Sequence, residues 1–165
     1  MYKGLKIIWM MKKVIFLLIC LVMSANVNGQ TSFKSIKATI ETFFEGFHNQ
    51  DSVLMKSVLA DNVLLQTTGR DSAGKTTFSS MPIQRLMVSI TGIPDSVQFQ
   101  EKLTSWSIQQ DRTMANAWVG YEFWYNNVLS HCGINSFQLV NFNGDWKIVY
   151  LIDTRGREGC NGIEE

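Results

Sequence analysis

Apolar residues recur at helical spacing in FKSIKATIETFFEGFHNQD, where Phe33, Ile36, Ile40, Phe43, Phe44 and Phe47 share one face and Lys34, Lys37 and Glu41 lie between them. The pattern predicts an amphipathic helix from about Thr31 to His48. Asp51 or Ser52 is placed to cap a second, short helix through Leu59, and Ala60-Asp61-Asn62 turns the chain into a short strand, Val63 to Thr67. GRDSAGK has the composition of a loop, and Thr76 to Ser80 carries no clear period. Pro82 suits the first turn of a third helix whose apolar face is Ile83, Leu86, Met87 and Ile90, and Gly92-Ile93-Pro94 stops it. From Val97 onward the period changes to that of strands. Val97 to Gln109, Met114 to Tyr125, His131 to Phe142 and Asp145 to Thr154 are separated by turns at Asp111-Arg112, Asn126-Asn127 and Asn143-Gly144, the last a strong hairpin signal. An antiparallel sheet needs one face covered, and the helices supply the cover. The expectation is an α+β domain, three N-terminal helices packed on a curved antiparallel sheet. The last three strands are antiparallel because parallel neighbours need a long crossover.

The N-terminal thirty residues fit no such layer. Lys12 and Lys13 precede the apolar run Val14 to Met23, which is short for a membrane span, and Ser24 to Gln30 is small and polar. This predicts a signal peptide over residues 1–30, cleaved between Ala25 and Thr31, and a single domain over 31–165 in the periplasm or outside the cell, with no membrane contact after cleavage. The exported part holds eleven basic and fourteen acidic residues, a formal charge of −3, with no basic patch for nucleic acid. It also retains only two cysteines, Cys132 and Cys160, in a compartment that permits disulfides. The hairpin at Asn143-Gly144 brings the start of one strand beside the end of the next, so the tail RGREG can return Cys160 to Cys132. The competing outcome is a pair of free thiols.

Taken together, IKATIETFFEGFHNQD, DSVLMKSVLADNVLLQT and the ending ANAWVGYEF, HCGINSFQLV and GDWKIVYLIDTR resemble the nuclear-transport-factor-2-like superfamily, in its lumazine-binding and polyketide-cyclase-like branch. The resemblance spans residues 33 to about 157 and implies a cone-like fold in which a curved sheet wraps the long helix around a pocket. Members of that superfamily include isomerases, dehydratases, cyclases and binding domains, so a fold of this kind does not choose the chemistry. The base and donor pairs of its enzymatic branches have no matched positions in this chain.

Candidate site residues follow from strand alternation. The sequence places Trp118, Glu122, Trp124, His131, Asn135, Tyr150 and Asp153 as cavity residues, with bulges accommodating their different phases. Trp118, Glu122, Trp124, Asn135 and Tyr150 would contact a small apolar or aromatic molecule; the tryptophans serve equally as core. Glu122, the only acid from Met114 to Val140, or Asp153 would act as base in a lyase or isomerase, with Tyr121, Tyr150 or His131 as donor. Asp153 and Arg155 fall on one face, as an ion pair or as a seat for an anion. His48, His131, Cys132 and Cys160 lack metal-ligand spacing, and no cofactor motif is found. Three functions remain open: small-molecule binding, acid-base catalysis, and a structural or interaction role that includes a homodimer through the open face of the sheet.

Overall fold

The computed structural model describes residues 33–160; the predicted signal peptide lies outside them. The chain divides into two units, Met1–Ser35 and Ile36–Glu165, and the sheet lies in the second. Helix α1 ends at residue 48, and the buried face in this unit is Ile36, Ile40, Phe43, Phe44 and Phe47. Phe44 meets Phe137 edge to face at 6.2 Å, and Phe47 meets Phe99 at 5.3 Å. Each such side chain removed from water contributes roughly 1.5–3 kcal/mol. The aromatic run of α1 therefore explains why the sheet folds over it. Helix α2, Ser52–Ser57, is capped by Asp51, whose side chain accepts from the N–H groups of Val53 and Leu54 at 2.9 Å.

Two strands follow, β1 (Leu59–Arg70) and β2 (Thr76–Met81). They form an antiparallel hairpin whose turn is held by Asp71, accepting from Ala73 and Lys75 N–H. Strand β2 is exposed along its whole length, so no burial pattern marks it in the sequence. Helix α3 (Ile83–Thr91) buries Ile83, Met87 and Ile90. The helices lie toward the N-terminus, with the β1–β2 hairpin between α2 and α3. Strands β3 (Phe99–Asp111), β4 (Met114–Tyr125), β5 (Val128–Phe142) and β6 (Asp145–Arg155) complete a six-stranded sheet of order β2-β1-β6-β5-β4-β3.

The expectation of a wholly antiparallel sheet is corrected at one place: β1 and β6 run parallel, with Thr67 opposite Asp153. The neighbours joined by tight turns are antiparallel, as loop length requires. β1 and β6 are separated by most of the domain, so the long crossover that parallel pairing needs is present.

Of the register shifts in the sheet, one lies in β1 between Leu59 and Leu64, and three are single-residue insertions that decide which side chains of β3, β5 and β6 face inward. Thr104 is the extra residue in β3, Ser130 in β5, and Val149 in β6. Each reverses the phase of its strand. In β6 the buried positions are Trp146 and Ile148 before the shift and Asp153 after it.

Candidate functional site

Between α1, α3 and the inner side of the sheet lies a cavity of about 260 Å³. Phe43, Phe44 and Phe47 of α1 and Leu86 and Ile90 of α3 give it an apolar wall. The strands β3, β4, β5 and β6 give it a polar one, built from Glu101, Tyr121, His131, Asn135, Asp153 and Arg155.

Glu101 is in phase with Phe99 and Leu103 before the β3 shift, so the strand that buries those apolar residues carries an acid inward with them. Its N–H donates to His48 Nε2 at 2.9 Å, which ties the strand to the end of α1. Its Oε1 accepts from Asn135 Nδ2 at 2.6 Å, while Oε2 has no hydrogen-bond partner among the described residues. Burial pushes its pKa up to about 7; the Asn135 bond opposes this, Asp153 adds to it and Arg155 opposes it.

Asp153 sits in a saturated network. Thr67 Oγ1 donates to Oδ1 at 2.5 Å, and Arg155 Nε donates to Oδ2 at 2.6 Å. The Tyr121 hydroxyl has one proton, directed to the Thr154 carbonyl at 2.8 Å, and lies 3.4 Å from Asp153 Oδ2. Burial, then the charges of Asp153 and Glu101, raise the tyrosine pKa well above its ordinary value. Tyr121 is therefore a fixed wall of the site, with little tendency to ionise.

His131 stacks on Phe123 at 5.0 Å and meets the edge of Tyr121 at 5.8 Å. Its Nδ1 lies 3.2 Å from Ser130 Oγ. Burial lowers its pKa, Arg155 lowers it further, Asp153 partly offsets this, and Arg157 adds a smaller lowering. Histidine and glutamate are thereby shifted in opposite directions, so that near neutral pH the imidazole is mainly uncharged while a sizeable share of the carboxyl keeps its proton.

Of the residues that the sequence assigned to the cavity, the structure brings His131, Asn135 and Asp153 together there. Four others lie outside its lining and are corrected. Glu122 projects from the opposite face of β4, where its Oε2 accepts from Trp124 Nε1 at 3.1 Å. Trp124 lies under Lys102, 4.1 Å from the ring centre, along a separate surface groove. Trp118 is 52% exposed. All three belong to the strand set opposite Ala115, Ala117, Val119 and Tyr121, four residues buried with almost no exposure. Tyr150 follows the β6 shift, and its hydroxyl donates to Gln66 Oε1 at 2.6 Å.

Glu101 is the residue that the sequence reading missed. Its signal was an acid in the apolar phase of Phe99 and Leu103, concealed because the phase changes at Thr104. Beside the site, Cys132 and Cys160 form a disulfide with Cα atoms 5.6 Å apart, and Cys132 exchanges both backbone hydrogen bonds with Gly156. The segment after β6 is thus held against the start of β5.

No protein-family model and no curated protein matches the chain. Solved structures do resemble it. An NTF2-like protein from Shewanella baltica, described as of unknown function, is 20% identical with a TM-score of 0.57, over 78% of this chain and 96% of that one. An NTF2-like protein with a cystatin-like fold from Novosphingobium aromaticivorans is 10% identical with a TM-score of 0.64, over 84% and 90%. One from Cytophaga hutchinsonii is 14% identical with a TM-score of 0.58, over 73% and 95%. At these identities the likeness establishes the fold, which is NTF2-like, and nothing of the chemistry.

Proposed function

We propose that this chain is an exported domain that binds a small, mainly apolar molecule in the cavity between α1, α3 and the inner side of the sheet. The observation that carries the reading is the meeting of an apolar phenylalanine wall with the buried Glu101 in one cavity lining, its Oε1 held by Asn135. Ligand sites typically combine an apolar lining with a few convergent polar groups, and their usual volumes start near 300 Å³, so a compact ligand suits this one. The resemblance of the sequence to the lumazine-binding and polyketide-cyclase-like branch supports the same reading, as it supports a ligand with a planar ring. Export is proposed from the composition of residues 1–30, and the Cys132–Cys160 bond is of the kind retained in an oxidising compartment. The test is a thermal-shift screen of small aromatic and alicyclic compounds against the protein and a Leu86→Trp variant, whose larger ring would occupy the cavity. Stabilisation by a compound that is lost in Leu86→Trp supports the reading. A compound that stabilises both equally binds elsewhere.

A second reading, a lyase or isomerase, is favoured by one specific observation. Burial pushes the Glu101 pKa up to about 7 in a cavity it shares with His131, and a carboxyl poised near neutral pH suits proton transfer. The base in this reading is Glu101 in its ionised fraction. Glu122 faces away, and Asp153 is committed to Thr67 and Arg155. If turnover is found, Glu101→Gln should lower it roughly 10²–10⁴-fold while Glu122→Gln leaves it unchanged.

A further inference from the structure

We propose that the polar end of this cavity receives a carboxylate carried by the apolar ligand, and that Arg155 is the residue that selects it. The inference rests on the small-molecule reading and names the ligand class.

Arg155 is held in place without being saturated. Its Nε is spent on Asp153, but its Nη groups donate to no described residue, and its side chain remains 55% exposed. A guanidinium anchored through Nε keeps a planar pair of N–H donors that fits both oxygens of a carboxylate. Arg155 also lines two spaces at once: the phenylalanine-walled cavity and an adjoining open groove. A ligand with its rings inside and its charged group at the junction would meet both.

The groove offers further cations beside Arg155. Arg70 and Arg157 line it, together with Asp71 and Glu158. Asp71 Oδ1 accepts backbone N–H groups in the β1–β2 turn. Asp153 has partners on both oxygens. The groove lining thus sets three guanidinium groups against two carboxylates, with Asp153 paired to Arg155 through Nε alone. Inside the cavity Tyr121 stays un-ionised and His131 contributes little positive charge. Glu101, with its pKa near 7, offers a hydrogen bond when protonated and repels an anion only when it ionises. The segment carrying Arg155 and Arg157 is fastened to β5 by the Cys132–Gly156 backbone bonds and the disulfide, so Arg155 is held between cavity and groove and Arg157 beside the groove before any ligand arrives.

The experiment is titration calorimetry on the full chain with its disulfide intact, at pH 6.5, using 2-naphthoate, its uncharged isostere 2-naphthamide, and inorganic phosphate. Naphthoate is expected to bind about tenfold or more tighter than naphthamide, the usual size of a charge-assisted bond. In Arg155→Gln that preference should fall to about twofold. Because Arg155→Gln also frees Asp153, Arg157→Gln serves as the second variant; it spares the ion pair and should reduce the preference about threefold. Equal binding of naphthoate and naphthamide to the unaltered protein overturns the carboxylate assignment and leaves the small-molecule reading standing. Binding of neither rejects both. Phosphate that competes with naphthoate but not with naphthamide supports a shared anion seat. Phosphate binding that leaves naphthoate affinity untouched would move the anion into the open groove alone and overturn a ligand that spans the two spaces.

Discussion

Glu101 and Glu122 lie one register step apart on the β3–β4 ribbon, with Glu101 opposite Phe123 and Lys102 opposite Glu122. That single step separates two environments. Glu101 enters the phenylalanine-walled cavity, where burial dominates its ionisation and raises its pKa to about 7. Glu122 emerges on the other face among Trp124 and Lys102, partners of an ordinary half-exposed surface. Residue type says nothing of this difference, because an acid acquires an unusual pKa only from where the strand points it. The inner face of the ribbon therefore holds the buried acid, and the outer face is the one on which β5 carries the disulfide, since Cys132 is the β5 residue opposite Glu122.

The largest expected effect tests that outer constraint. Replacing Cys132 and Cys160 together with serine opens a span of 28 residues and should destabilise the fold by about 3–4 kcal/mol in the chain-entropy account. Urea unfolding of the double variant beside the unaltered protein measures it, and a loss below about 1 kcal/mol would mean that the outer face contributes little. On the inner face, Gly133 lies between His131 and Asn135, and a Cβ there would run into the Thr154 carbonyl. Gly133→Ala should cost about 3 kcal/mol by overpacking at backbone, visible in the same assay. A neutral result would show that β6 can withdraw from β5 without penalty.

Next in size is the pH dependence that Glu101 brings to the inner face. The folded pKa of Glu101 is raised from 4.5 to about 7. Its contribution is therefore complete below about 4.5 and is lost as pH rises through about 7, because the unfolded chain ionises first. Glu101→Gln should match the unaltered protein in stability near pH 4, apart from a constant offset. Relative to that offset it should gain on the order of 2–3 kcal/mol by pH 8. Parallel curves for the two proteins would refute the buried assignment. Glu122→Gln is the smallest change, expected within about 0.5 kcal/mol, as is usual for surface positions. A loss well above that from Glu122→Gln would erase the contrast between the faces.

Much of the fold was legible before the structure. The helical phase of Ile36, Ile40, Phe43, Phe44 and Phe47 is local, and it survives in α1 because a helix has no alternative register. Asn143-Gly144 likewise dictates its own hairpin: Asn143 has φ 57° and Gly144 has φ 111°, which that pair tolerates. The site was only partly legible. His131, Asn135 and Asp153 were found, whereas Glu122, Trp118, Trp124 and Tyr150 were assigned to a space that they do not line. Those four are large or charged residues in strands, and such residues attract attention whichever face they occupy.

What the sequence by itself determined is therefore local: the amphipathic face of α1, the cap at Asp51, the turns, and a pair of cysteines near adjoining strand ends. Only the tertiary structure decided the facing of the strands and the parallel union of β1 with β6. The physical reason is that a strand has a period of two, so one extra residue at Thr104, Ser130 or Val149 exchanges its faces. Where that residue is inserted depends on how the neighbouring strand and α1 fill the interior, which is a property of the packed domain and is written in no single segment.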